Sequence, residues 1–524
     1  MKSIRPFWLG LVLATVTCVG GCATPSAFAI NSKKEISWVT VGADGKLVYR
    51  QDERGNRVPD FTAVGYEGHD VEPPSVEVRE MLEPSRGETN AKTKIKKYPD
   101  DTQRIQDAVD RVCKLPMNAD GFRGAVLLRR GVYRIEGTVS IWASGVVLRG
   151  EGDGEGGTRL IATGQSQRTL IEAGGQGGAR MNPRTETQIV DTYVPVGAMN
   201  VHVDKQAATM FSVGDEVNVR RPCTEEWVHF LGMDKIKQVP GQQEVRQWGS
   251  GTAELNFRRV ITSIDGGAIS LDAPITCALE ERFGGGVIGT YEFPGRIEHI
   301  GIENLSADSE YRSQTDEEHA WTCVRLEACR DAWVRDVTTR HFGMGTVLVD
   351  RGASRVTIER CKCLDPISQI EGSRRYSFYV LGQQTLVREC RSRRGRHDFV
   401  TGGRVCGPNV FVDCVAEQAY SDEGPHERWA VGTLYDNISV TGNSLNVINR
   451  GGSGSGQGWA GAWQVLWTCR ADEIVVDQAP GSLNWCFGAR SRHMSGDGVW
   501  EAAGRMVKPR SLYEQQAKER RRDK

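Results

Sequence analysis

The sequence predicts an all-β fold: a right-handed parallel β-helix solenoid with an N-terminal capping helix and an inserted β-rich subdomain. Three β-prone runs end in a cysteine, at Cys361, Cys390 and Cys414, and the two intervals between these cysteines are similar in length. A unit that repeats about every 20 to 30 residues, as these runs do, is typical of a solenoid. No amphipathic helical pattern lies inside the unit, so each repeat must consist of strands and turns. The three cysteines are therefore expected to stack inside successive coils.

Glycine content supports the same fold. The chain has 61 glycines among 524 residues, which exceeds the average share of about 7%. Every coil of a solenoid turns at tight corners, and glycine adopts the backbone conformations that such corners need.

An amphipathic helix is predicted at the start of the solenoid, from Asp100 to Val112. Asp101 or Thr102 would cap its N-terminus, because these side chains accept hydrogen bonds from the first free amides of a helix. The apolar residues of one face have the spacing of a buried helical face: Ile105, Ala108, Val109 and Val112. Since the open end of a solenoid needs a cap, the helix is predicted to cover the N-terminal end of the coils.

The domain organisation follows from where the coil pattern begins, breaks and ends. Hairpin signals such as the Asp265-Gly-Gly turn interrupt the pattern and predict an insertion. Six segments are predicted: a lipoprotein-type signal peptide at 1–29, an N-terminal β segment and crossing linker at 30–98, the capping helix and first coils at 99–164, the inserted subdomain at 165–294, the main coils with the active groove at 295–490, and a polar C-terminal tail at 491–524. From Arg505 onward, this tail is expected to be a frayed helix or a disordered end.

The N-terminal segment predicts export. Lys2 and Arg5 precede an apolar run that is too short to span a bilayer. Val19-Gly-Gly-Cys22 resembles a bacterial lipoprotein cleavage box with Cys22 as the lipidated residue, whereas Ala27-Phe-Ala29 would suit an ordinary signal peptidase. We expect a periplasmic or outer cell-surface protein whose only membrane contact is an N-terminal lipid anchor.

The charge balance argues against nucleic acid as a partner. The chain has 66 basic and 67 acidic residues, a formal net charge of −1. Such a chain has no bulk field that would attract a polyanion. An anionic partner must therefore be held by a local cluster of arginines.

Residues whose side chains can take part in catalysis or ligand binding are concentrated between Glu371 and Arg450. The interval from His319 to His341 equals that from Arg375 to His397, and His426 follows His397 by the same interval as Cys390 follows Cys361. Because residues one period apart lie on neighbouring coils, about 4.8 Å apart, these side chains are expected on one side of the solenoid.

This pattern predicts a polysaccharide lyase that cleaves an acidic, uronate-containing polymer by β-elimination. The reaction needs a base for the C5 proton and cations or donors that neutralise the carboxylate. The catalytic candidates are a histidine base, a tyrosine acid and an arginine: His397, His426, Tyr420 and Arg428. The candidates for substrate binding are His319, His341, Arg374, Arg375, Arg396, Asp398, Asp422, Trp429, Tyr435 and Asp436.

No cofactor is required by this chemistry, and no metal ligand set is assigned. Calcium remains an option, because the carboxylates of Asp398, Asp422, Glu423 and Asp436 are oxygen ligands of the kind that calcium prefers. No calcium loop of fixed spacing is visible in the sequence.

Two other functions remain open. Asp398 with Asp422 or Asp436 would suit an inverting glycoside hydrolase, because carboxylates two coils apart are separated by about 9.6 Å, close to the roughly 6.5 to 9.5 Å of such enzymes. A non-catalytic, surface glycan-binding solenoid would instead use Trp429, Tyr435 and the tryptophans that follow to stack on sugars.

Three motifs carry a resemblance to a known family. They are DDTxxIQxAV at residues 100–109, VxLxxGVYxI at 126–135 and GVVLRGEG at 145–152. Together they resemble the pectate-lyase superfamily, in its pectin-lyase-like and rhamnogalacturonase/epimerase-like branch. The resemblance implies a parallel β-helix that acts on polysaccharide. The WIDH and RxPxxR signatures of calcium pectate lyases are absent, as is the polygalacturonase set within the coils, so the resemblance implies no particular reaction.

Overall fold

Parallel strands, stacked in three rows, build the coils. The computed structural model describes residues 37–89 and 96–522; the predicted signal peptide, including Cys22, lies outside these residues. Strand pairing within the rows is parallel, and successive strands of a row come from successive coils. Parallel crossovers are right-handed in nearly all proteins. The predicted right-handed parallel β-helix is confirmed.

The first row contains the strands that lead into the corner with the cysteines: Val78–Leu82, Gly124–Leu128, Val146–Arg149, the first parts of Ile297–Ser309 and Cys329–Arg340, Ser354–Glu359, Leu386–Arg388, Cys406–Val412, Ala430–Asp436, Gly461–Ala462, Val465–Trp467, Trp485–Phe487 and Val499–Glu501. The second row follows that corner: Gly131–Ile135, Thr158–Ala162, the last parts of the two long strands, Lys362–Leu364, Arg391–Arg393, Val415–Glu417 and Ser439–Val440.

The third row closes each coil: Val139–Ile141, Arg168–Gly174, Ala320–Glu327, Gly345–Val349, Phe378–Val380, Phe399–Thr401 and Gly424–Pro425. A smaller parallel sheet continues it: Ser444–Val447, Glu473–Val476 and His493–Ser495.

One residue turns the chain from the first row to the second. Its φ lies between 50° and 54°, in the left-handed region, in six coils: Asp336, Arg360, Glu389, Asp413, Asn437 and Thr468. The next residue is buried inside the coil each time: Val337, Cys361, Cys390, Cys414, Ile438 and Cys469. Cys390 contacts both Cys361 and Cys414, so the predicted cysteine stack is confirmed.

An antiparallel sheet interrupts the coils, as predicted, but it begins later. Residues 168–174 pair in parallel with Ala320–Glu327 and belong to the third row; the antiparallel part starts at Arg180 rather than at 165. Its strands are Arg180–Met181, Thr187–Gln188, Ala198–His202, Glu216–Arg221, Leu255–Asp265, Ala268–Ile275 and Val287–Glu292. Tyr193–Val194 pairs with Leu279–Glu280, and the helical segments are Lys205–Ala208, Glu225–Phe230 and the 3₁₀ turn Glu281–Phe283.

The predicted capping helix spans Thr102–Cys113 and buries the expected apolar face. Asp101 lies at the N-cap position, as predicted, but its side chain makes no capping hydrogen bond. The Asp100 carboxylate accepts from the backbone N–H of Thr102 at 3.0 Å. The Asp101 side chain instead binds Ser85 and Arg104, so it is not available to the helix amides.

The predicted N-terminal β segment contains strands, and the linker that follows it is more structured than predicted. Val39–Val41 and Leu47–Tyr49 form a hairpin, and Glu88–Thr89 pairs with Lys96–Lys97. Val78–Leu82, expected in a crossing linker, pairs in parallel with Gly124–Leu128 and so begins the first row.

The C-terminal tail contains a helix, one of its two predicted forms, but this helix is packed rather than frayed, and the coils extend further than predicted. Residues 493–495 and 499–501 are still coil strands. The last described segment is a helix, Leu512–Arg522, with Leu512, Tyr513 and Ala517 buried. These apolar residues share one helical face, which packs into a core between the outer side of the first row and the inserted sheet. No helix in the described part of the chain is long and apolar enough to cross a membrane.

Candidate active site

His397, His426 and Tyr376 meet at the outer side of the third row. The ring centroids of the two histidines are 4.4 Å apart, and the Tyr376 ring is 5.1 Å from His397 and 5.3 Å from His426. Tyr376 and His397 precede two successive strands of the row, and His426 follows the next strand. Three coils thus contribute one ring each.

His397 and His426 do not occupy the same position in adjacent coils, contrary to the prediction from their spacing. Thr401 pairs with Pro425, so His426 is level with Gly402 and not with His397. The number of residues between equivalent positions of these two coils therefore equals the Cys390–Cys414 interval. It does not equal the longer Cys361–Cys390 interval. The two rings meet because the strand Gly424–Pro425 has only two residues and the chain leaves the row directly at His426.

His397 is a neutral imidazole with a defined tautomer. Its Nδ1 donates to the Asp422 carbonyl oxygen at 2.5 Å, which leaves the lone pair on Nε2. That nitrogen is buried and has no hydrogen-bond partner among the described residues. Burial lowers the pKa of His397 to about 4, an effect that the Asp422 carboxylate, 3.6 Å from Nδ1, partly offsets.

The Asp422 carboxylate is held in place from two sides. Arg450 binds it, with 3.3 Å between Nη1 and Oδ1, and the Asn446 amide donates to Oδ2 at 3.3 Å. Burial raises the pKa of Asp422, but Arg450 and His397 outweigh this and hold it below its usual value. Asp422 is therefore an ionised support for His397.

His426 is bound to Tyr376. The tyrosine hydroxyl lies 3.1 Å from His426 Nε2, and the Gln457 amide nitrogen lies 3.2 Å from the same atom. Burial lowers the pKa of His426 to about 2, and the neighbouring His397 lowers it further. Burial raises the pKa of the Tyr376 hydroxyl, which Arg396 partly offsets. The pair is therefore neutral at physiological pH.

These rings form the floor of a cavity of about 800 Å³. Its walls come from the loop before Phe378–Val380, from the glycine-rich loop 451–458 and from residues 241–243 of the inserted subdomain. The two loops touch, since the Gly454 amide donates to Gln242 Oε1 at 3.0 Å. The insertion therefore completes a site that the coils alone leave open.

Three arginines line the cavity, and one of them has no acidic partner. Arg374 is paired with Glu317, with 2.9 Å between Nη2 and Oε2, and Arg450 with Asp422. Arg396 makes no ion pair among the described residues, and its Nη1 is buried without a hydrogen-bond partner. Arg396 is therefore the guanidinium that is available to an anionic ligand.

A buried acid pair lies beneath the cavity. Glu423 Oε2 accepts from the backbone amides of Asp398 and Phe399 at 2.7 and 2.6 Å, and Asp398 binds the Ser377 hydroxyl. Burial raises the pKa of both carboxyls, that of Asp398 to about 6. The pair fixes the backbone that carries His397.

Four predicted binding residues are not in the lining of the cavity. Asp398 is fully buried in the pair just described, and Tyr435 stacks on Phe411 inside the coils at 5.3 Å. Asp436 accepts from Ser511 Oγ at 2.6 Å and from the Tyr513 amide at 2.8 Å. Trp429 packs edge-on against Trp227 of the insertion at 5.0 Å. These positions correct the predictions: inward residues of a strand and residues under the insertion look like groove residues in sequence.

The expected row of histidines is also incomplete. His319 is buried, with 2.8 Å from its Nδ1 to Ser309 Oγ. His341 lies at the corner after the second row, where Tyr311 packs on it at 5.0 Å, and it lines a different depression. Neither contributes to the cavity that His397 and His426 line.

Three further candidates lie at the edge of the site. Arg375 is buried and donates to the Ser368 carbonyl at 2.5 Å. Its guanidinium packs 5.5 Å from the ring of Tyr420, which is 44% exposed and outside the cavity lining. Arg428 donates to Ser455 Oγ at 3.0 Å behind the glycine-rich loop. The predicted catalytic roles of Tyr420 and Arg428 are not supported by these positions.

Sequence reasoning missed Tyr376, Arg450 and Gln457. Tyr376 follows two arginines that were singled out, and Arg450 opens a glycine-rich run of the kind that forms a binding loop. Both signals were present in the sequence. The role of Gln457 depends on how that loop folds back over His426.

One group of potential metal ligands occurs among the residues that the structure describes: Glu298, His299 and Asp331. Arg330 binds the Glu298 carboxylate at 2.6 Å and Arg355 binds that of Asp331 at 2.6 Å. The acidic residues considered for calcium are dispersed, because Asp422 is bound to Arg450 and Asp436 to the C-terminal helix.

Comparison with known proteins finds matches among solved structures alone. No family model matches the chain, and no curated protein does. Similar solved structures include ORF18 of Geobacillus virus E2 (10% identity, 76% of this chain and 59% of that chain, TM-score 0.34), an alginate lyase from Paenibacillus sp. str. FPU-7 (8%, 77% and 96%, 0.40) and an iota-carrageenase complexed to iota-carrageenan fragments (11%, 77% and 58%, 0.33). The chain spans less than two thirds of the first and third of these.

The strand pairing itself establishes the architecture. This chain has the parallel β-helix fold that its resemblance to the pectate-lyase superfamily implies.

Proposed function

We propose that this protein is a carbohydrate-active enzyme, a polysaccharide lyase that cleaves a uronate-containing polymer by β-elimination in the cavity of His397 and His426. One observation carries the proposal: the cavity brings together two neutral imidazoles, a tyrosine hydroxyl and a guanidinium without an acidic partner. Elimination needs a base, a proton donor for the leaving oxygen and a cation at the substrate carboxylate. The cavity offers a group for each role.

His397 is the base in this mechanism. Its Nε2 lone pair is free because the proton resides on Nδ1, which donates to the Asp422 carbonyl. Nε2 takes the C5 proton, the electrons of that C–H bond form the C4–C5 double bond, and the C4–O4 bond breaks. Asp422 stabilises the imidazolium that forms.

Tyr376 is the acid. Its hydroxyl gives a proton to the leaving oxygen, and the Arg396 charge stabilises the phenolate that remains. His426 orients the hydroxyl through the 3.1 Å contact. Arg396 also binds the substrate carboxylate, for which a guanidinium has the matching planar geometry.

The paired-aspartate hydrolase has less support. Asp398 and Asp436, which were to act with Asp422, are fully buried and bound to other groups. A glycan-binding protein without activity would need neither a defined histidine tautomer nor an unpartnered base.

Product analysis on a panel of uronate polysaccharides tests the proposal. A lyase leaves an unsaturated sugar at each new non-reducing end, which absorbs ultraviolet light. New reducing ends without this absorbance would show a hydrolase. Binding without any product would show a glycan-binding protein, and either result would refute the proposal.

We also propose that the protein is exported and lipid-anchored through Cys22. The support is the apolar N-terminal run that ends in Val19-Gly-Gly-Cys22. Mass spectrometry of the mature N-terminus tests it: a lipidated Cys22 is expected, and an unmodified chain that starts at Ile30 would contradict it.

A further inference from the structure

A second depression adjoins the cavity on the same side of the coils. It has a volume of about 580 Å³ and lies between the residues that follow the third-row strands and the inserted subdomain. Tyr379 lines the cavity, and Leu381, two residues further on, lines the depression. The two spaces therefore meet along one strand end.

Glycines lie between the cavity and the depression and leave this surface without protruding side chains. A Cβ atom at Gly402 would lie 2.3 Å from Leu381 Cδ2 and 2.9 Å from the Tyr379 hydroxyl. Gly382 and Gly403 follow the strands of neighbouring coils, and Arg351 reaches across this level to donate to the Gly403 carbonyl at 2.7 Å. An extended ligand can pass over such a surface.

Arg351 and Arg404 line the depression, and Arg428 lies on the coil next to that of Arg404. The backbone amide of Arg404 donates to the Arg428 carbonyl at 2.7 Å, so these two are on adjacent coils. None of the three makes an ion pair with another described residue, and the Arg351 and Arg404 side chains are exposed. Burial lowers the pKa of Arg404, and the charges of Arg351 and Arg428 lower it further. Like charges are thus held close together.

The acids of the depression are bound by other arginines. Glu327 and Asp350 share Arg325 at 3.0 and 2.6 Å, and Glu254 shares Arg220 with Glu186 at 3.7 and 2.6 Å. Glu427, at the junction with the cavity, lies near Arg404 but does not form an ion pair with it in the described chain. The guanidinium groups of the row are therefore left without a direct carboxylate partner among the described residues.

We propose that Arg351, Arg404 and Arg428 form a binding row for the negatively charged sugar units of a polymer that extends out of the cavity. The inference rests on the proposed function and deepens it: the substrate is acidic over several successive units, not only at the cleaved bond. The row fits such a polymer because its arginines are spread along successive coils, which are about 4.8 Å apart. Arg351 lies two coils before Arg404, and Arg428 lies one coil after it.

Binding by the full chain with His397→Ala, which removes turnover, tests the row. Dissociation constants for short and long oligouronates are measured at low and high salt. In this background, the pair Arg351→Gln/Arg404→Gln should weaken the long oligomer by roughly two- to five-fold per arginine, leave the short oligomer unchanged and reduce the salt dependence. Arg470→Gln/Arg490→Gln is the matched control, because these two arginines are exposed, lie one coil apart and have no ion pair in the described chain.

Each outcome decides the proposal. Equal loss for short and long oligomers, equal loss in the control pair, or no loss at all would overturn it. The proposal would also be overturned if the His397→Ala protein bound no oligouronate. The same holds if it bound a DNA duplex and lost that binding to the same extent on Arg351→Gln/Arg404→Gln substitution. A hydrolytic product pattern would refute the lyase while leaving this binding result to decide the row.

Discussion

The cysteine corner and the histidine cavity occur in the same coils but use coil repetition in opposite ways. At the corner, Cys361, Cys390 and Cys414 occupy the same position in successive coils. In the cavity, Tyr376 precedes a strand whereas His426 follows one. Repetition thus builds the support, and departures from repetition build the site.

Those departures can be located. The coil from Cys361 to Cys390 is longer than the next because extra residues lie between Leu364 and Phe378, and these include Glu371 and Arg374 in the cavity wall. The glycine-rich loop 451–458 and residues 241–243 supply the other walls. Substitutions in the cavity and at the cysteine corner test these two roles separately.

The largest effect is expected for His397→Ala. Loss of a positioned base lowers turnover by about 10² to 10⁴-fold, and the cysteine corner should keep the fold intact. Steady-state kinetics by ultraviolet absorbance, with circular dichroism as a check on folding, measures it. Turnover at the parent rate in a folded variant would show that His397 is not the base.

Tyr376→Phe should have the next largest effect, about 10²-fold or somewhat more on turnover. The variant keeps the ring that packs between the two histidines and removes only the hydroxyl. Tyr420→Phe is the matched control, since that hydroxyl lies outside the cavity lining, and it should leave turnover within about two-fold. If the Tyr420 variant lost as much as the Tyr376 variant, the two assignments would have to be exchanged.

The sequence predicted what repeats. The β-helix, the cysteine stack and the insertion all depend on periodicity or on breaks in it, which are visible along one chain. The approach of His397 to His426 was predicted from a spacing that the strand register does not support. Asp398 and Tyr435 were misplaced because inward and outward residues of a strand differ by one position, and no pattern of polar residues reveals that phase when a core contains buried acids. Asp436 was misplaced because the C-terminal helix covers it. Gln457 was missed because its role is set by the glycine-rich loop, which only three-dimensional packing brings to His426.

Asp436 should make stability depend on pH. Burial raises its pKa to about 7, above the value of an unfolded chain, so the folded state holds this proton more tightly. This proton stabilises the folded state fully at low pH, and the stabilisation is lost as the pH rises through the folded pKa. Between pH 5 and pH 6.5, the unfolding free energy should therefore fall by about 2 kcal/mol on account of this one proton. Asp436→Asn cannot lose a proton, so its stability relative to the parent should rise over that range in urea titrations. A constant difference between the two would contradict a raised pKa.

His397 should have the opposite sign in the same titrations. Its folded pKa of about 4 lies below the unfolded value, so its contribution is present above about pH 6.5 and is lost as the pH falls towards 4. Comparison of each variant with the parent, rather than the parent alone, separates the two groups.

The smallest effect is expected at the cysteine corner itself. Cys390→Ser replaces a buried thiol by a hydroxyl of nearly the same shape, and the Arg388 carbonyl, 3.3 Å from the sulfur, can accept its hydrogen bond. The cost should therefore be near the lower end for a buried hydroxyl, about 1 kcal/mol, with turnover unchanged. Urea denaturation with parallel kinetics measures both, and Cys414→Ser, one coil further, should behave alike. A folded Cys390 variant with turnover reduced ten-fold or more would mean that the corner and the cavity are mechanically coupled across the coil, because the substitution leaves every cavity residue in place.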